Sequence, residues 1–382
     1  MKKLIAAVAA SVCLMSAAQA QQVPAPQIAA RSWTLLDATS GQVIASQDAD
    51  TRIEPASLTK VMTAYVVFEA LRDKKITLDQ MVNVSVHAWK VDGSSSKMFI
   101  DPATPVKIQD LLYGLMIQSG NDAAVALAEA VAGDEATFVT LMNREAQRMG
   151  MKNTHFANPH GLPSPENYST ASDLAILASH EIQDFPQFYK IDSIKEFTYN
   201  KIKQQNRNRL LWIDPTVDGL KTGHTEASGF SMIASAHRPN GPSGERRLIS
   251  VLSGANSDGA RTAESQKLLN WGFQNFDTVK LYAKGQAIQT PEIWKGTQSK
   301  VKIGFLNDVL VTVPKGVAQK MKPVLERKDP LVAPLARNSR VGTLKMVVDG
   351  KPLLALPVVS LEEVPEASIF GKTWDSMRLW MK

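Results

Sequence analysis

The sequence predicts an α+β protein: a larger domain with an antiparallel sheet flanked by helices, then a small all-β domain, then a C-terminal amphipathic helix. Three observations predict it. Between Val217 and Gly254 the segments "VDGLKTGHT", "GFSMIASAHR" and "RRLISVLSGA" are strand-like and consecutive, while helical text lies in separate runs, the mark of an α+β domain. Beyond about Asp277 the chain turns to short β runs. The final segment gathers its aromatic and apolar residues on one helical face.

Taken in order, residues 1–20 combine Lys2 and Lys3, an apolar run from Leu4 to Met15 and the small-residue end "AAQA". This is the pattern of an export signal removed after Ala20, and the run is short of the ~20 residues that a membrane span needs. The stretch "WTLLDATSGQVIAS", Trp33 to Ser46, places two apolar runs around a turn containing Gly41 and predicts a β-hairpin. Next comes "EPASLTKVMTAYVVFEAL", Glu54 to Leu71, apolar almost all the way round, which predicts a buried helix with Pro55 in its first turn. From Ile108 to Gly133 the pattern is helical on both sides of "QSGNDA", where Ser119, Gly120, Asn121 and Asp122 are turn formers. "PNGPSGE" separates the last two strands of the meander, and a helix with Leu268, Leu269 and Phe273 closes the region.

The β runs of the second domain are "KVKIGF", "DVLVTVP" and "LKMVVDGKPLLALPVV", the last with Asp349-Gly350 as a tight hairpin turn. "SIFGKTWDSMRLWMK" plots with Phe370, Trp374, Met377, Trp380 and Met381 on one face and Lys372, Asp375, Arg378 and Lys382 opposite. Two tryptophans beside basic residues suit a helix lying on a membrane surface, and the segment is too short and too charged to span one. The expected boundaries are therefore 1–20 for the signal, 21–276 for the α+β domain, 277–360 for the β-rich domain and 361–382 for the amphipathic helix.

Composition narrows the chemistry. The one cysteine, Cys13, lies in the signal, so the mature chain has no thiol, which excludes thiol catalysis and thiolate metal sites and suits an oxidising compartment. The six histidines form no H-E-x-x-H or comparable cluster, which argues against a zinc peptidase, and no cofactor motif is present. Net charge is +6 and falls by two, to +4, once Lys2 and Lys3 leave. That mild basicity suits an anionic envelope surface, and without a basic run or recognition motif it does not point to nucleic acid.

A buried lysine needs a reason, and Ser57 supplies one. Three residues apart on a helix, Ser57 and Lys60 share a face with Cβ atoms about 5–6 Å apart. A serine hydroxyl needs a neighbouring base to act as nucleophile. Lysine can be that base if burial among Leu58, Val61, Met62 and Tyr65, together with nearby positive charge, lowers its pKa from ~10.4 toward 7–8. The S-x-x-K pattern occurs three times, at Ser57–Lys60, Ser94–Lys97 and Ser299–Lys302, and only the first lies in a dry helical context. Ser119 and Asn121 stand in the turn between two helices, where a second hydroxyl can relay a proton and an amide can hold a substrate amide. Lys221 and Thr222 lie on a predicted strand and could bind a carboxylate, with Gly223 allowing close approach. The His224 amide could pair with that of Ser57 as an oxyanion hole.

The ordered set S-x-x-K, S-x-N, K-T-G resembles that of the penicillin-binding proteins, and specifically the low-molecular-mass D-alanyl-D-alanine carboxypeptidases of the "five and six" type. The resemblance runs through "SLTKVMTAY", "QSGNDA", "KNTHF", "HGL", "YSTASDLA", "NRNRLLW", "VDGLKTGHT" and "AESQKLLNWGF" into the β-rich domain and terminal helix. It implies a penicillin-binding/β-lactamase-like transpeptidase domain as the larger unit. It implies Ser57 as the acylated nucleophile, Lys60 as its base, and Ser119 with Asn121 as the second element of the site. Lys221 and Thr222 would bind substrate, and the Ser57 and His224 amides would form the oxyanion hole. Arg207 and Arg261 match positions lining the cleft that help hold the terminal carboxylate. The implied activity is removal of the terminal D-Ala from peptidoglycan pentapeptide stems without metal or cofactor. The implied partners are stem peptides, β-lactam antibiotics and the periplasmic face of the inner membrane. A β-lactamase is disfavoured because "HGLPSPENYSTASD" places Asn167 directly after Glu166 instead of an E-x-x-x-N spacing. A cross-link endopeptidase is chemically close, and a non-enzymatic envelope scaffold is opposed by the intact Ser57, Lys60 and Lys221.

Overall fold

The computed structural model describes residues 23–91, 96–241 and 244–380, apart from the side chains of Phe370 and Leu379. The expected export signal, Ser94 of the second S-x-x-K, and Met381 and Lys382 lie outside the described residues. Two compact units result, Pro24–Val279 with Leu310–Val313, and Lys280–Val309 with the chain from Pro314 onward.

In the first unit the hairpin strands β1 (Ser32–Asp37) and β2 (Gln42–Gln47) join a meander of β3 (Val217–Thr225), β4 (Gly229–Pro239) and β5 (Glu245–Ala255). The sheet is antiparallel in the order β2-β1-β5-β4-β3, which leaves β3 at an edge. Side chains of a strand alternate between faces, and both faces are covered. Met232, Ala234, Leu248 and Leu252 pack with Leu268 and Leu269 of the closing helix Asp258–Asn275. Ile233, Ile249 and Val251 face the larger core, which includes the helices Thr59–Arg72 and Ala171–Asp184. Burying each such aliphatic side chain contributes about 1.5–3 kcal/mol. Eleven of the fourteen residues of the Thr59–Arg72 helix are buried, so it is the central helix of the domain and its one lysine is carried into the interior.

The "DVLVTVP" segment does not enter the second unit's main sheet. Strand Val309–Pro314 pairs with Phe276–Tyr282, and Thr312 Oγ1 donates to the buried Asp37 carboxylate at 2.8 Å, beside the Asp37–Arg246 ion pair. Its alternation is that of any half-buried strand, and sequence alone does not name the partner.

The second unit holds a sheet of short strands in which Arg340–Val348 and Lys351–Ser360 form the long hairpin. Asp349 and Gly350 at its tip both have positive φ, +50° and +78°, as a two-residue type I′ turn requires. Residues 361–366 still belong to this unit, since Val364 is fully buried and bridges to Leu335, and the terminal helix begins at Ile369 (Ile369–Trp380). Asp375 of that helix accepts from the Lys295 amide at 2.7 Å, and the Arg378 guanidinium lies 5.2 Å from the Trp294 ring centroid. The polar face is thus turned onto the unit, while Trp374, Met377 and Trp380 are exposed.

Candidate active site

Ser57 is not inside the α-helix that its pattern suggested. It occupies a 3-10 turn, Ala56–Leu58, and the α-helix begins at Thr59. The reason is local: Ala56 has φ +49°, a left-handed conformation that a continuous right-handed helix does not admit. The one-turn offset between Ser57 and Lys60 survives, and Lys60 Nζ stands 3.1 Å from Ser57 Oγ.

Lys60 is fully buried and touches two further polar groups, donating to Asn121 Oδ1 and to the His160 carbonyl oxygen, each at 2.6 Å. Burial, then the charges of Lys221 and Arg207, hold its pKa well below the ordinary 10.5, with Asp122 opposing. A neutral amine has two N–H groups and one lone pair. With both N–H groups taken by carbonyl oxygens, the lone pair is left for the Ser57 hydroxyl, the geometry a serine general base requires.

His160 thus belongs to the site through its backbone. Two contacts fix that loop: Asn158 Oδ1 accepts from the Gly161 amide at 2.6 Å, and Thr63 Oγ1 donates to the Pro159 carbonyl at 2.6 Å. Gly161, at φ +86°, lies so close to the Ala56 carbonyl that a Cβ would come within 1.8 Å of its oxygen. The His160 ring is held neutral, its pKa lowered to about 3 by burial and by Lys60. The short "NPHGL" run with its glycine was the one sequence signal for this element.

Ser119 ends a π-helical turn, Gly114–Gln118, in a left-handed conformation with φ +68°, and Asn121 opens the helix Asn121–Ala132. The turn between the two helices is therefore narrower than "QSGNDA" suggested. The Ser119 hydroxyl is buried, lines the cleft and has no hydrogen-bond partner among the described residues.

Edge strand β3 forms the facing wall. Gly223 lies against the turn that carries Ser57, where a Cβ would sit 3.2 Å from both the Pro55 oxygen and Leu58 Cγ, a tight approach that a side chain would push apart. Lys221 is buried, and burial with the charges of Arg207 and Arg261 lowers its pKa to about 7 against the pull of Asp192. Thr222 is buried at the cleft surface, and His224 is exposed with its ring against Phe230. The cleft has a volume of about 1680 Å³ and takes in Ser57, Ser119, Asn121, Arg207, Thr222, His224 and Arg261, while Lys60 and Lys221 lie beneath its surface.

Residues 18–257 match the family profile described as D-alanyl-D-alanine carboxypeptidase, and residues 276–366 match that of the penicillin-binding protein 5 C-terminal domain. The chain belongs to the D-alanyl-D-alanine carboxypeptidase family. It is 45% identical over 364 residues to D-alanyl-D-alanine carboxypeptidase DacA of Haemophilus influenzae, spanning 94% of this chain and 91% of that protein. The crystal structure of penicillin-binding protein 5 from H. influenzae superposes with TM-score 0.87 at 43% identity, covering 90% of this chain and all of the other. Penicillin-binding protein D2 of Listeria monocytogenes, in an ampicillin-bound form, has TM-score 0.59 at 29% identity, covering 66% of this chain and all of the other.

Within this carboxypeptidase the two arginines differ. Arg207 is exposed in the cleft wall beside the lysine pair. Arg261 is buried, with one terminal nitrogen donating to the Gly223 carbonyl at 3.0 Å and the other to Asp258 at 2.5 Å. It lines the cleft, and one of these donors braces the β3 backbone at Gly223. Glu166 is exposed and outside the cleft lining, and the neighbouring Asn167 is buried. Among the described residues no group of three His, Cys, Asp or Glu side chains is placed to hold a metal ion.

Proposed function

We propose that this carboxypeptidase removes the terminal D-Ala from peptidoglycan pentapeptide stems through an acyl-enzyme on Ser57. The observation that carries this reading is the buried Lys60 amine, 3.1 Å from Ser57 Oγ with its other two contacts occupied by carbonyl oxygens. Ser57 Oγ attacks the penultimate D-Ala carbonyl as Lys60 takes its proton. The negative oxygen that develops is held by the Ser57 and His224 amides. Ser119 relays that proton from Lys60 to the leaving nitrogen, the C–N bond breaks and D-Ala departs, leaving Lys60 neutral again. Water then attacks the ester, giving a proton to Lys60, which passes it to Ser57 Oγ as the ester bond breaks. Lys221, Thr222 and Arg207 hold the terminal carboxylate, Asn121 holds the substrate amide, and Arg261 supports the strand that presents them. Incubation with a pentapeptide stem should yield tetrapeptide and free D-Ala with the wild type and none with Ser57→Ala; release by that variant at the wild-type rate would defeat the assignment.

β-Lactams acylate the same serine in this reading, supported by the ampicillin-bound form of the Listeria relative. Glu166 lies away from the cleft, so the adduct is long-lived, and rapid penicillin turnover in intact-mass spectra would reverse this.

The enzyme works on the periplasmic face of the inner membrane, held there peripherally by its terminal helix. No helix among the described residues is long and apolar enough to cross a membrane. The support is the outward apolar face of Ile369–Trp380, with Trp374 60% and Trp380 88% exposed, an arrangement that suits an interfacial helix. Replacing both tryptophans with glutamate should release the protein from anionic lipid vesicles; undiminished binding would contradict this placement.

A further inference from the structure

Phe99, a residue 49% exposed in the active-site cleft, adopts a left-handed backbone conformation with φ +68°. That conformation is unfavourable for a bulky side chain and persists only where surrounding contacts impose it; such sites cluster where a ligand is held. The contacts here are explicit. The buried Asp122 carboxylate accepts from three successive amides, Met98 at 2.9 Å, Phe99 at 2.8 Å and Ile100 at 3.2 Å. The Asn121 amide donates to the Ser96 carbonyl at 2.7 Å, and Gln204 Nε2 donates to the Met98 carbonyl at 3.1 Å. The Met98 side chain packs over Gly114, where a Cβ would come 2.3 Å from its sulfur. The segment is thus clamped onto the turn that carries Ser119 and Asn121, and the clamp turns an aromatic ring toward solvent instead of the core.

We propose that Phe99 is the apolar wall of a substrate subsite that holds the side chain of the residue preceding the two terminal D-alanines, with Asp122 as the residue that positions it. The proposal rests on the carboxypeptidase reading above and adds to it a preference for substrate. Both terminal residues carry only methyl groups, so the aliphatic surface able to cover an aromatic ring belongs to the preceding residue. Phe99 shares its cleft with Ser57 and Asn121, and Ile202, 39% exposed, adds a second apolar side chain to the same lining. Lys221 and Arg207 are assigned to the carboxylate, which leaves this apolar stretch to the acyl part of the peptide.

The test compares two peptides, one with Nα,Nε-diacetyl-L-lysine and one with Nα-acetyl-L-alanine before D-Ala-D-Ala, using the full chain. The wild type should favour the lysyl peptide. Phe99→Ala should reduce the ratio of the two kcat/KM values about tenfold, chiefly through KM for the lysyl peptide, the scale expected of an apolar pocket. Phe99→Leu should restore most of the ratio, and stoichiometric penicillin labelling of each variant reports that its site is folded. An unaltered ratio in Phe99→Ala, or equal losses on both peptides, would overturn the subsite. Absence of cleavage of both peptides by the wild type would instead overturn the carboxypeptidase reading on which it rests.

Discussion

The side-chain oxygen of Asn121 accepts a hydrogen bond from Lys60 Nζ at 2.6 Å. A neutral amide at this point leaves the lysine proton state to burial and to the neighbouring cations, which lower its pKa. A carboxylate there would favour the ammonium form. Asn121→Asp is therefore expected to raise the Lys60 pKa, move the acid limb of the kcat/KM profile to higher pH, and cost on the order of tenfold or more in activity at neutral pH. A pH–rate profile checks this, and an acid limb at the wild-type position would contradict it.

Lys221 gives a pH dependence of stability whose sign follows from its burial. Its folded pKa, about 7, lies below the ordinary 10.5. Above 10.5 neither state holds the proton; between 10.5 and 7 the unfolded chain holds one that the folded chain has lost. Stability therefore falls as pH falls through that window, and the penalty is complete below it. Lys221→Met is expected to raise Tm relative to the wild type at neutral pH, with the gap closing toward pH 10.5, while carboxylate binding and activity are lost. Thermal denaturation of both proteins across the window checks the prediction, and parallel curves would contradict it.

The two arginines should separate in kinetics and stability. Arg207→Ala removes a cleft cation and is expected to raise KM about tenfold with Tm close to that of the wild type. Arg261→Ala leaves the Gly223 carbonyl and Asp258 without this donor, and should cost about 1–3 kcal/mol of stability. Calorimetry alongside steady-state kinetics distinguishes them; a normal Tm for Arg261→Ala would contradict the bracing role.

Much of this architecture was legible in the sequence because the relevant signals are local. The Asp349-Gly350 turn, the three-strand meander and the apolar helix around Lys60 each follow from spacing and burial over a few residues. The site pairs Ser57–Lys60, Ser119–Asn121 and Lys221–Thr222 were visible for the same reason. What escaped depends on contacts between distant segments. The His160 carbonyl reaches Lys60 across a hundred positions, and a backbone oxygen carries no residue-type signal. Arg261 and Arg207 are alike as letters, and only the Gly223 carbonyl and Asp258 at the end of one of them separate their uses. Ala56 and Phe99 adopt left-handed conformations that their residue types do not favour, so the letters themselves gave no sign of them.

The most direct test of a neutral Lys60 activating Ser57 is the rate of penicillin acylation, followed by intact mass with the adduct mapped to Ser57, as pH is raised to the ordinary lysine value of 10.5. The rate should level off well below that value, and Lys60→Arg, which stays charged, should slow it by at least about a hundredfold. A rate still climbing at pH 10.5, or wild-type acylation of the arginine variant, would contradict it.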